Sequence, residues 1–355
     1  MGKALGYTAA LVTALGCIPL AAGAETFRLS IGAGHPASAV WVGSVQDYFA
    51  TEVSARVAER TDHEIDWTHG YGGSICKLGE CLEAVEAGLL DMALIGTAFE
   101  PSKLQAHNFS YFVPFGLSDP IKGAEAFKRT YDEVPELKTF LEDRYNQKFV
   151  GVSTIGDYGL STTFPWASLS DLQGHKIAGA GPNLPWLEGT GIVPVQTTLN
   201  DAYTSLQTGV YEGWIMYADA LASFKLIEVA KHFADMNFGV IGFPLLTINL
   251  DTWDELPPEV QEILLEAGKN WNVRNAEMTA TKQAAAFETM RAQGVEVREV
   301  SLEEKKVWAV NMPNLPKLRY DEAMADGQPG QAIYTYIDIL KSMGHEFPRD
   351  WSLEK

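Results

Sequence analysis

The chain has 355 residues, of which 46% are hydrophobic and 21% are charged. This length exceeds what one hydrophobic core normally serves, so a globular protein with two lobes is expected. The formal net charge of −19 argues against nucleic acid and anionic membrane surfaces as partners, because both would repel the chain.

The first 24 residues are typical of a secretory signal peptide. Lys3 gives a minimal basic start, Ala4–Leu20 is mostly apolar, and Ala22-Gly23-Ala24 fits a small-residue cleavage site. We therefore expect residues 1–24 to be removed, the mature chain to begin at Glu25, and the protein to be periplasmic. The alternative is an uncleaved membrane anchor formed by the same segment.

The segment that follows alternates strands and helices. Its predicted elements are strand Phe27–Gly32, helix Trp41–Arg60, strand Glu64–His69, helix Leu78–Gly88 and strand Asp91–Gly96. The turn Gly32–Ala37 mimics a dinucleotide fingerprint, but Pro36 and the lack of a correctly spaced acidic residue argue against nucleotide binding.

Two cysteines, Cys76 and Cys81, would lie in an oxidising compartment after export. Cysteines five apart on one helix point to different faces, so a bridge requires Cys76 to precede the helix that Cys81 starts. The glycine-rich run before Cys76 allows this, and a disulfide is favoured over two buried free thiols. The spacing matches neither a CxxC redox motif nor zinc-type cysteine pairs.

The middle of the chain predicts the passage into a second lobe. Ile121–Tyr145 reads as two helices broken near Pro135, and Phe149–Ser153 is a strand that crosses between lobes. Further along, a βαβ pattern is formed by strand Ile192–Val195, helix Asn200–Thr208 and strand Val210–Tyr217. Loops at the carboxyl ends of such strands bind ligands in open α/β sheets.

The last third returns to the first lobe and then adds one long helix. Ile241–Leu250 is a returning strand, and Pro257 starts a helix that could run uninterrupted to about Gln293, which is unusually long for a globular protein. Gly294–Val297 is a strand, and Gln331–Met343 is an amphipathic closing helix.

Motifs for enzymatic chemistry are missing from the sequence. Gly151–Ile155 lacks the final glycine of a nucleophile elbow, and neither a P-loop nor HExxH occurs. His63 and His69 have no evident third metal ligand. We therefore predict no catalytic residues, no metal and no cofactor, with an exported enzyme of unrecognised site as the alternative class.

Two motifs resemble a known family. Asp171–Ile177 and Asp201–Gly213 resemble sequence motifs of the solute-binding proteins of tripartite ATP-independent periplasmic (TRAP) transporters. The resemblance implies an α/β, two-lobed periplasmic binding protein fold with a ligand cleft between the lobes and a long helix spanning both. It also implies a small-molecule solute and, as partners, the small and large membrane subunits of a TRAP permease.

The domain boundaries expected from this resemblance alternate along the chain. Residues 25–150 plus about 236–275 would form the first lobe, and 151–235 plus about 276–330 the second. Residues 331–355 would form a C-terminal helix and tail.

One departure from the family bears on the solute. The family usually has an arginine after Lys176-Ile177, where it pairs with a substrate carboxylate; this chain has Ala178 there and no arginine between Arg144 and Arg274. Typical dicarboxylates are therefore disfavoured, because a buried carboxylate without a partner is costly. Aromatic faces with a nearby acid suit a small organic amine such as ethanolamine.

The alternative solute is an aromatic or other small monocarboxylate held by Lys176 or by residues of the first lobe. The interpretation of Lys176 as a solvated strand-edge lysine is favoured over a ligand contact. Some of the aromatic residues could instead belong to the core. The predicted ligand-binding residues are Trp41, Tyr71, Tyr158, Ala178, Trp186, Trp214, Tyr217, Asp219 and Phe243.

Overall fold

The structure is a computed structural model that describes residues 1–2 and 24–352. The predicted signal peptide falls almost entirely outside this range, as do the last three residues of the predicted tail. In the described part of the chain, no helix is long and apolar enough to span a membrane.

The strands form two mixed sheets, whose members alternate along the chain. In chain order they are β1 Thr26–Ala33, β2 Glu64–Gly70, β3 Met92–Ile95, β4 Gln147–Ile155, β5 Tyr158–Thr162, β6 Lys176–Gly179, β7 Val193–Gln196, β8 Gly213–Tyr217, β9 His232–Asp235, β10 Ile241–Asn249 and β11 Glu296–Glu299. The first sheet has the order β2-β1-β3-β10-β4, and the second has the order β11-β9-β5-β8-β6-β7.

Helices cover the sheets and close the chain. They are α1 Val40–Ser44, α2 Thr51–Arg60, α3 Cys81–Glu86, α4 Pro120–Glu133, α5 Glu136–Tyr145, α6 Leu199–Thr208, α7 Ala218–Ser223, α8 Leu250–Glu255, α9 Pro258–Ala292, α10 Leu302–Asn311, α11 Leu315–Ala325 and α12 Ala332–Ser342. A π-helical segment, Val45–Ala50, joins α1 to α2, so the predicted helix Trp41–Arg60 is continuous but not uniformly α-helical.

The chain crosses between the two sheets twice, and each crossing takes only a few residues. β4 ends at Ile155 in the first sheet and β5 begins at Tyr158 in the second; β9 ends at Asp235 in the second and β10 begins at Ile241 in the first. The expected boundary at residue 150 is therefore too early, because β4 stays paired with β10 up to Ile155.

Helix α9 is 35 residues long and contacts both lobes. It starts with Pro258, whose missing N–H costs nothing in a first turn, and packs against β4 and α4 of the first lobe and α7 and β11 of the second. The side chains of Asn272 and Asn275 accept hydrogen bonds from the backbone N–H groups of Val152 (3.0 Å) and Thr154 (2.7 Å). Polar residues on one helix face thus satisfy the open edge of β4.

Some predicted elements differ in extent. The helix expected over Leu78–Gly88 is only Cys81–Glu86, because the residues before Cys81 form a loop that a Cys76–Cys81 disulfide closes. The strand expected over Gly294–Val297 shifts to Glu296–Glu299. Helices α10 and α11 have no counterpart in the prediction, since their surface-exposed sequences show little amphipathic periodicity.

Candidate functional site

A cavity of about 250 Å³ lies between the two sheets. Its wall combines residues from the ends of β1, β4 and β10 in the first lobe with residues from β5, β8 and the loops of the second lobe. Eight ring-bearing side chains line it: His35, Trp41, Phe99, Tyr111, Tyr158, Tyr217, Phe224 and Phe243. The site is therefore an aromatic enclosure that exists only when both lobes contribute.

The first-lobe wall is built around His35. Its ring meets Trp41 edge-on at 5.5 Å between centroids and Phe243 at 6.2 Å. Burial lowers the pKa of His35 to about 4, so its imidazole is neutral at neutral pH and can offer one donor and one acceptor.

Close packing holds the loop that carries His35. A Cβ at Gly34 would lie 2.6 Å from the backbone nitrogen of Leu78, so only glycine fits at this position. The N–H of Gly72 donates a hydrogen bond to the carbonyl of His35 at 2.8 Å. The loop closed by the disulfide thus packs against the loop after β1, and Leu78 reaches the cavity wall.

The second-lobe wall centres on a pair of tyrosines. Tyr158 and Tyr217 face each other across β5 and β8 with centroids 5.1 Å apart at 75°. The Tyr158 hydroxyl lies 3.2 Å from the hydroxyl of Tyr111, and Trp41 meets Tyr217 at 6.1 Å. Burial raises the pKa of Tyr158 and Tyr217 well above its usual value, so both hydroxyls keep their protons.

The lining of this cavity contains no Asp, Glu, Lys or Arg among the residues that the structure describes. Recognition must therefore use ring faces, tyrosine hydroxyls, the neutral imidazole and backbone groups. Aromatic walls of this kind favour flat or apolar ligands. A fully charged ligand group inside would lack a countercharge, which is costly.

The model of the DctP family, bacterial extracellular solute-binding protein family 7, matches residues 37–322. The chain belongs to this family.

Individual relatives of this DctP-family chain are distant. A solute-binding protein of Albidiferax ferrireducens is 26% identical over 250 residues, covering 69% of this chain and 72% of the relative. A TRAP periplasmic solute-binding protein from Desulfovibrio salexigens superposes with a TM-score of 0.78 at 18% identity, covering 89% of this chain and 96% of that one. At this identity the superposition supports the two-lobed fold.

A third similar structure is a marine metagenome TRAP solute-binding protein described as specific for aromatic acid ligands. It superposes with a TM-score of 0.76 at 20% identity, covering 89% of this chain and 99% of that one. The prediction of a two-lobed TRAP solute-binding protein is thus confirmed.

Four of the predicted ligand residues of this DctP-family chain line the cavity: Trp41, Tyr158, Tyr217 and Phe243. Tyr71 lies beside the cavity wall, next to the lining residue Gly72, and its hydroxyl contacts Nδ1 of His69 at 2.8 Å.

The other four predicted residues lie behind the wall. Trp186 is fully buried, and its indole N–H donates to the carbonyl of Tyr111 at 2.8 Å. Trp214 of β8 pairs with Ala178 of the neighbouring strand β6, and both residues are fully buried. These three residues support the ring layer instead of forming it.

Asp219 also lies behind the wall, at the start of α7. Its carboxylate lies against Gly156, so close that a Cβ added to this glycine would be 2.9 Å from Oδ1 of Asp219. Burial raises the pKa of the Asp219 carboxyl to about 7. Lys176 is exposed and absent from the lining. Neither the acid proposed for an amine nor the lysine proposed for a carboxylate touches the cavity.

Several lining residues were missed by the sequence analysis: Phe99, Tyr111, Thr198, Leu199 and Phe224. Phe99 ends a short 3-10 turn, and Phe224 follows the last turn of α7. Irregular segments carry no periodicity, so only their aromatic character could have indicated a site. His35 was not among the predicted ligand residues.

A wider cleft of about 790 Å³ adjoins the cavity and shares Ala98, Phe99, Ala180 and Thr198 with it. Arg319 of α11 supplies the cationic side chain of its lining. Its Nη1 donates to Glu322 at 2.6 Å, and its guanidinium lies 5.6 Å from the Phe112 ring centroid. The cleft is therefore polar and charged where the cavity is not.

Across the described residues, no group of three or more His, Cys, Asp or Glu side chains is arranged to hold a metal ion.

Proposed function

We propose that this chain is the periplasmic receptor of a TRAP transporter and that its solute is a small aromatic monocarboxylate. The observation that carries this proposal is the cavity of eight rings contributed by both lobes. A flat ring of benzene size fits its volume of about 250 Å³ and would gain stacking energy on several faces.

The amine hypothesis loses its main support. It required a carboxylate beside the aromatic faces, but Asp219 lies behind Tyr217 and outside the lining. Similar structures hold acids: one contains metahydroxyphenylacetate, one pyroglutamate and one β-D-galacturonate. These neighbours support an acid as the alternative to an amine.

The carboxylate of such a solute would need a donor outside the aromatic wall. Tyr111, Tyr158 and neutral His35 can donate hydrogen bonds inside the cavity. Arg319 lines the adjoining cleft, where a carboxylate that extends past Phe99 would meet it. In this arrangement, contacts of the solute ring with the aromatic cavity provide the affinity, and the adjoining cleft holds the solute carboxylate in place.

As a receptor, the chain would capture one solute between its lobes and deliver it unchanged to the small and large membrane subunits of the permease. Closure would move the two lobes about the crossings at 155–158 and 235–241. The family supports this role over that of an exported enzyme.

The test is calorimetric titration of the purified mature protein with 3-hydroxyphenylacetate, its neutral amide, the corresponding phenethylamine and succinate. We expect one-to-one binding of the acid, weaker binding of the amide and no turnover of either by mass spectrometry. Tight binding of succinate, together with no detectable binding of any aromatic compound, would contradict the proposed solute. Chemical conversion of a bound compound would contradict the receptor role.

A further inference from the structure

A second pocket, on the outer side of the first lobe, has the opposite character to the aromatic cavity. It has a volume of about 270 Å³ and is formed by α4, α5, β4 and α9. Its charged lining residues are Lys128, Asp132, Lys138, Glu142, Lys148 and Lys269. We name this the lysine pocket.

Helix spacing explains why these side chains converge. Lys128, Tyr131 and Asp132 lie on one face of α4, and Leu265, Lys269 and Asn272 lie on one face of α9. Lys138 and Glu142 are one turn apart on α5. The remaining wall comes from the edge strand β4, between residues 148 and 152.

The charges do not cancel. Asp132 accepts from Lys128 at 2.7 Å and Lys138 at 3.2 Å, and Glu142 accepts from Lys148 at 2.7 Å. Four lysines against two carboxylates leave two positive charges in this pocket, although the chain as a whole carries −19. Lys269 has no ion-pair partner among the described residues.

A buried amide adds a directed donor. Asn272 is 8% exposed and lines the pocket. Its Oδ1 accepts the N–H of Val152 at 3.0 Å, which fixes the amide so that Nδ2 is the outward group. This nitrogen has no hydrogen-bond partner within the described chain, so it is available to an acceptor in the pocket.

The floor is aromatic. Tyr131 and Phe149 stack with centroids 4.3 Å apart at 17°, and the Lys138 ammonium lies 5.9 Å from the Phe149 centroid. Val150, Val152 and Leu265 complete the apolar surface. A ligand here would place an apolar body on this floor and an anionic head among ammonium groups.

We propose that the lysine pocket is a second binding site, specific for a small organic anion with one apolar ring and one anionic head group. It is built from one lobe only, so it does not depend on closure of the aromatic cavity. The proposal is independent of the solute that the cavity takes.

The probe is benzoate, with benzyltrimethylammonium and benzyl alcohol as ring-matched controls. Acetylation of lysines with acetic anhydride, followed by peptide mass mapping, reports the site directly. We expect benzoate to protect Lys128 and Lys269 and to leave Lys122 unprotected, since Lys122 lies on the same helix α4 but outside the pocket. Benzyltrimethylammonium, which acetic anhydride cannot acylate, should protect none of them.

Substitutions then separate this site from the aromatic cavity. Lys269→Gln should weaken benzoate binding at this site about three- to five-fold, the range of one partly exposed ion pair, and Lys128→Gln with Lys269→Gln should weaken it further. Lys122→Gln should change nothing, and Trp41→Ala should leave the protection of Lys269 intact. Binding should also weaken from 20 mM to about 500 mM salt, because screening shortens the reach of the ammonium groups.

Two results would overturn the proposal. One is the absence of benzoate-dependent protection at Lys128 and Lys269. The other is protection that disappears in Trp41→Ala, because the cavity between the lobes would then be the only benzoate site.

Discussion

The aromatic cavity and the lysine pocket have nearly the same volume, about 250 and 270 Å³, but opposite chemistry. The cavity takes its walls from both lobes and presents rings with no charged side chain among the described residues, whereas the pocket belongs to one lobe and presents four lysines. In our proposal, recognition of a ring therefore depends on lobe closure, whereas recognition of an anion on the outer face does not.

The carboxylates near the two regions show the same contrast. Asp132 at the lysine pocket has two lysine partners, whereas Asp219 behind the cavity is 7% exposed and has no ion-pair partner among described residues. Burial raises the pKa of Asp219 to about 7. A carboxyl whose pKa is raised in the folded state is protonated at low pH without penalty, and its ionisation destabilises the fold as pH rises.

The largest expected effect follows from this burial. Asp219→Asn should raise the free energy of unfolding relative to the wild type at pH 8, by up to about 4 kcal/mol for a carboxyl pKa raised by about three. The difference should shrink as pH falls below 7, because the carboxyl is then protonated in the folded state, and below about pH 4 it becomes protonated in the unfolded state as well. Chemical denaturation at pH 4.5, 6 and 8 measures it.

Asp132→Asn provides the matched control. Burial opposes ionisation of Asp132, but its ion pairs with Lys128 and Lys138 together lower the pKa of the carboxyl. Loss of the charged carboxylate should therefore slightly destabilise the protein at neutral pH. A wild-type stability that stays constant relative to Asp219→Asn from pH 4.5 to 8 would show that Asp219 is solvated, and one that rises would show that it is paired.

Loss of a wall ring should have the next largest effect. Trp41 contacts His35 in its own lobe and Tyr217 in the other, so Trp41→Ala opens the cavity wall where the two lobes meet. We expect affinity for an aromatic solute to fall about 100-fold, or about 2.7 kcal/mol. Trp166→Ala is the control, because Trp166 contacts Arg298 outside the cavity, and isothermal calorimetry compares the two variants.

The disulfide loop should contribute a smaller effect to both stability and binding. Replacing Cys76 and Cys81 with serine releases a short loop, which costs about 2 kcal/mol of folding free energy on the chain-entropy model. Because Leu78 lies within this loop and lines the cavity, affinity for the solute should fall as well. Leu78→Ala, with the bridge intact, separates the two contributions, and unchanged affinity in the double serine variant would show that the loop keeps its position unaided.

The smallest expected effect is that of one hydroxyl. Tyr158→Phe removes the contact between Tyr158 and Tyr111 at 3.2 Å while keeping both rings. We expect affinity to fall by about 1 kcal/mol, the net value of a neutral hydrogen bond, with a larger loss for solutes that bear a carboxylate than for their amides. An equal loss for both would indicate that the hydroxyl is structural.

The sequence motifs predicted the fold more completely than the site. The sequence motifs that begin at Asp171 and Asp201 resemble those of the family. This resemblance was enough to predict the two lobes and the long helix α9. Tyr158 and Tyr217 were predicted because they lie at strand ends, where ligands bind. Trp214 lies in β8, as Tyr217 does, but farther from the end of the strand. The sequence of a buried strand does not indicate how far each of its aromatic residues lies from the cleft.

Charge was the least predictable property. Asp219 follows Tyr217 by two residues, but it starts α7, and its carboxyl turns toward Gly156. Lys128, Lys138, Lys148 and Lys269 come from four elements that only the folded structure brings together. No local motif relates them, so the lysine pocket has no signature in the sequence.

The central claim, an aromatic solute held between the lobes, is tested most directly by native mass spectrometry of the exported protein. Gentle desolvation preserves a bound solute, and its release identifies it without any choice of test compound. We predict one aromatic solute per chain in the wild type and none in Trp41→Ala. A retained aliphatic dicarboxylate or sugar acid, still bound in Trp41→Ala, would contradict the account.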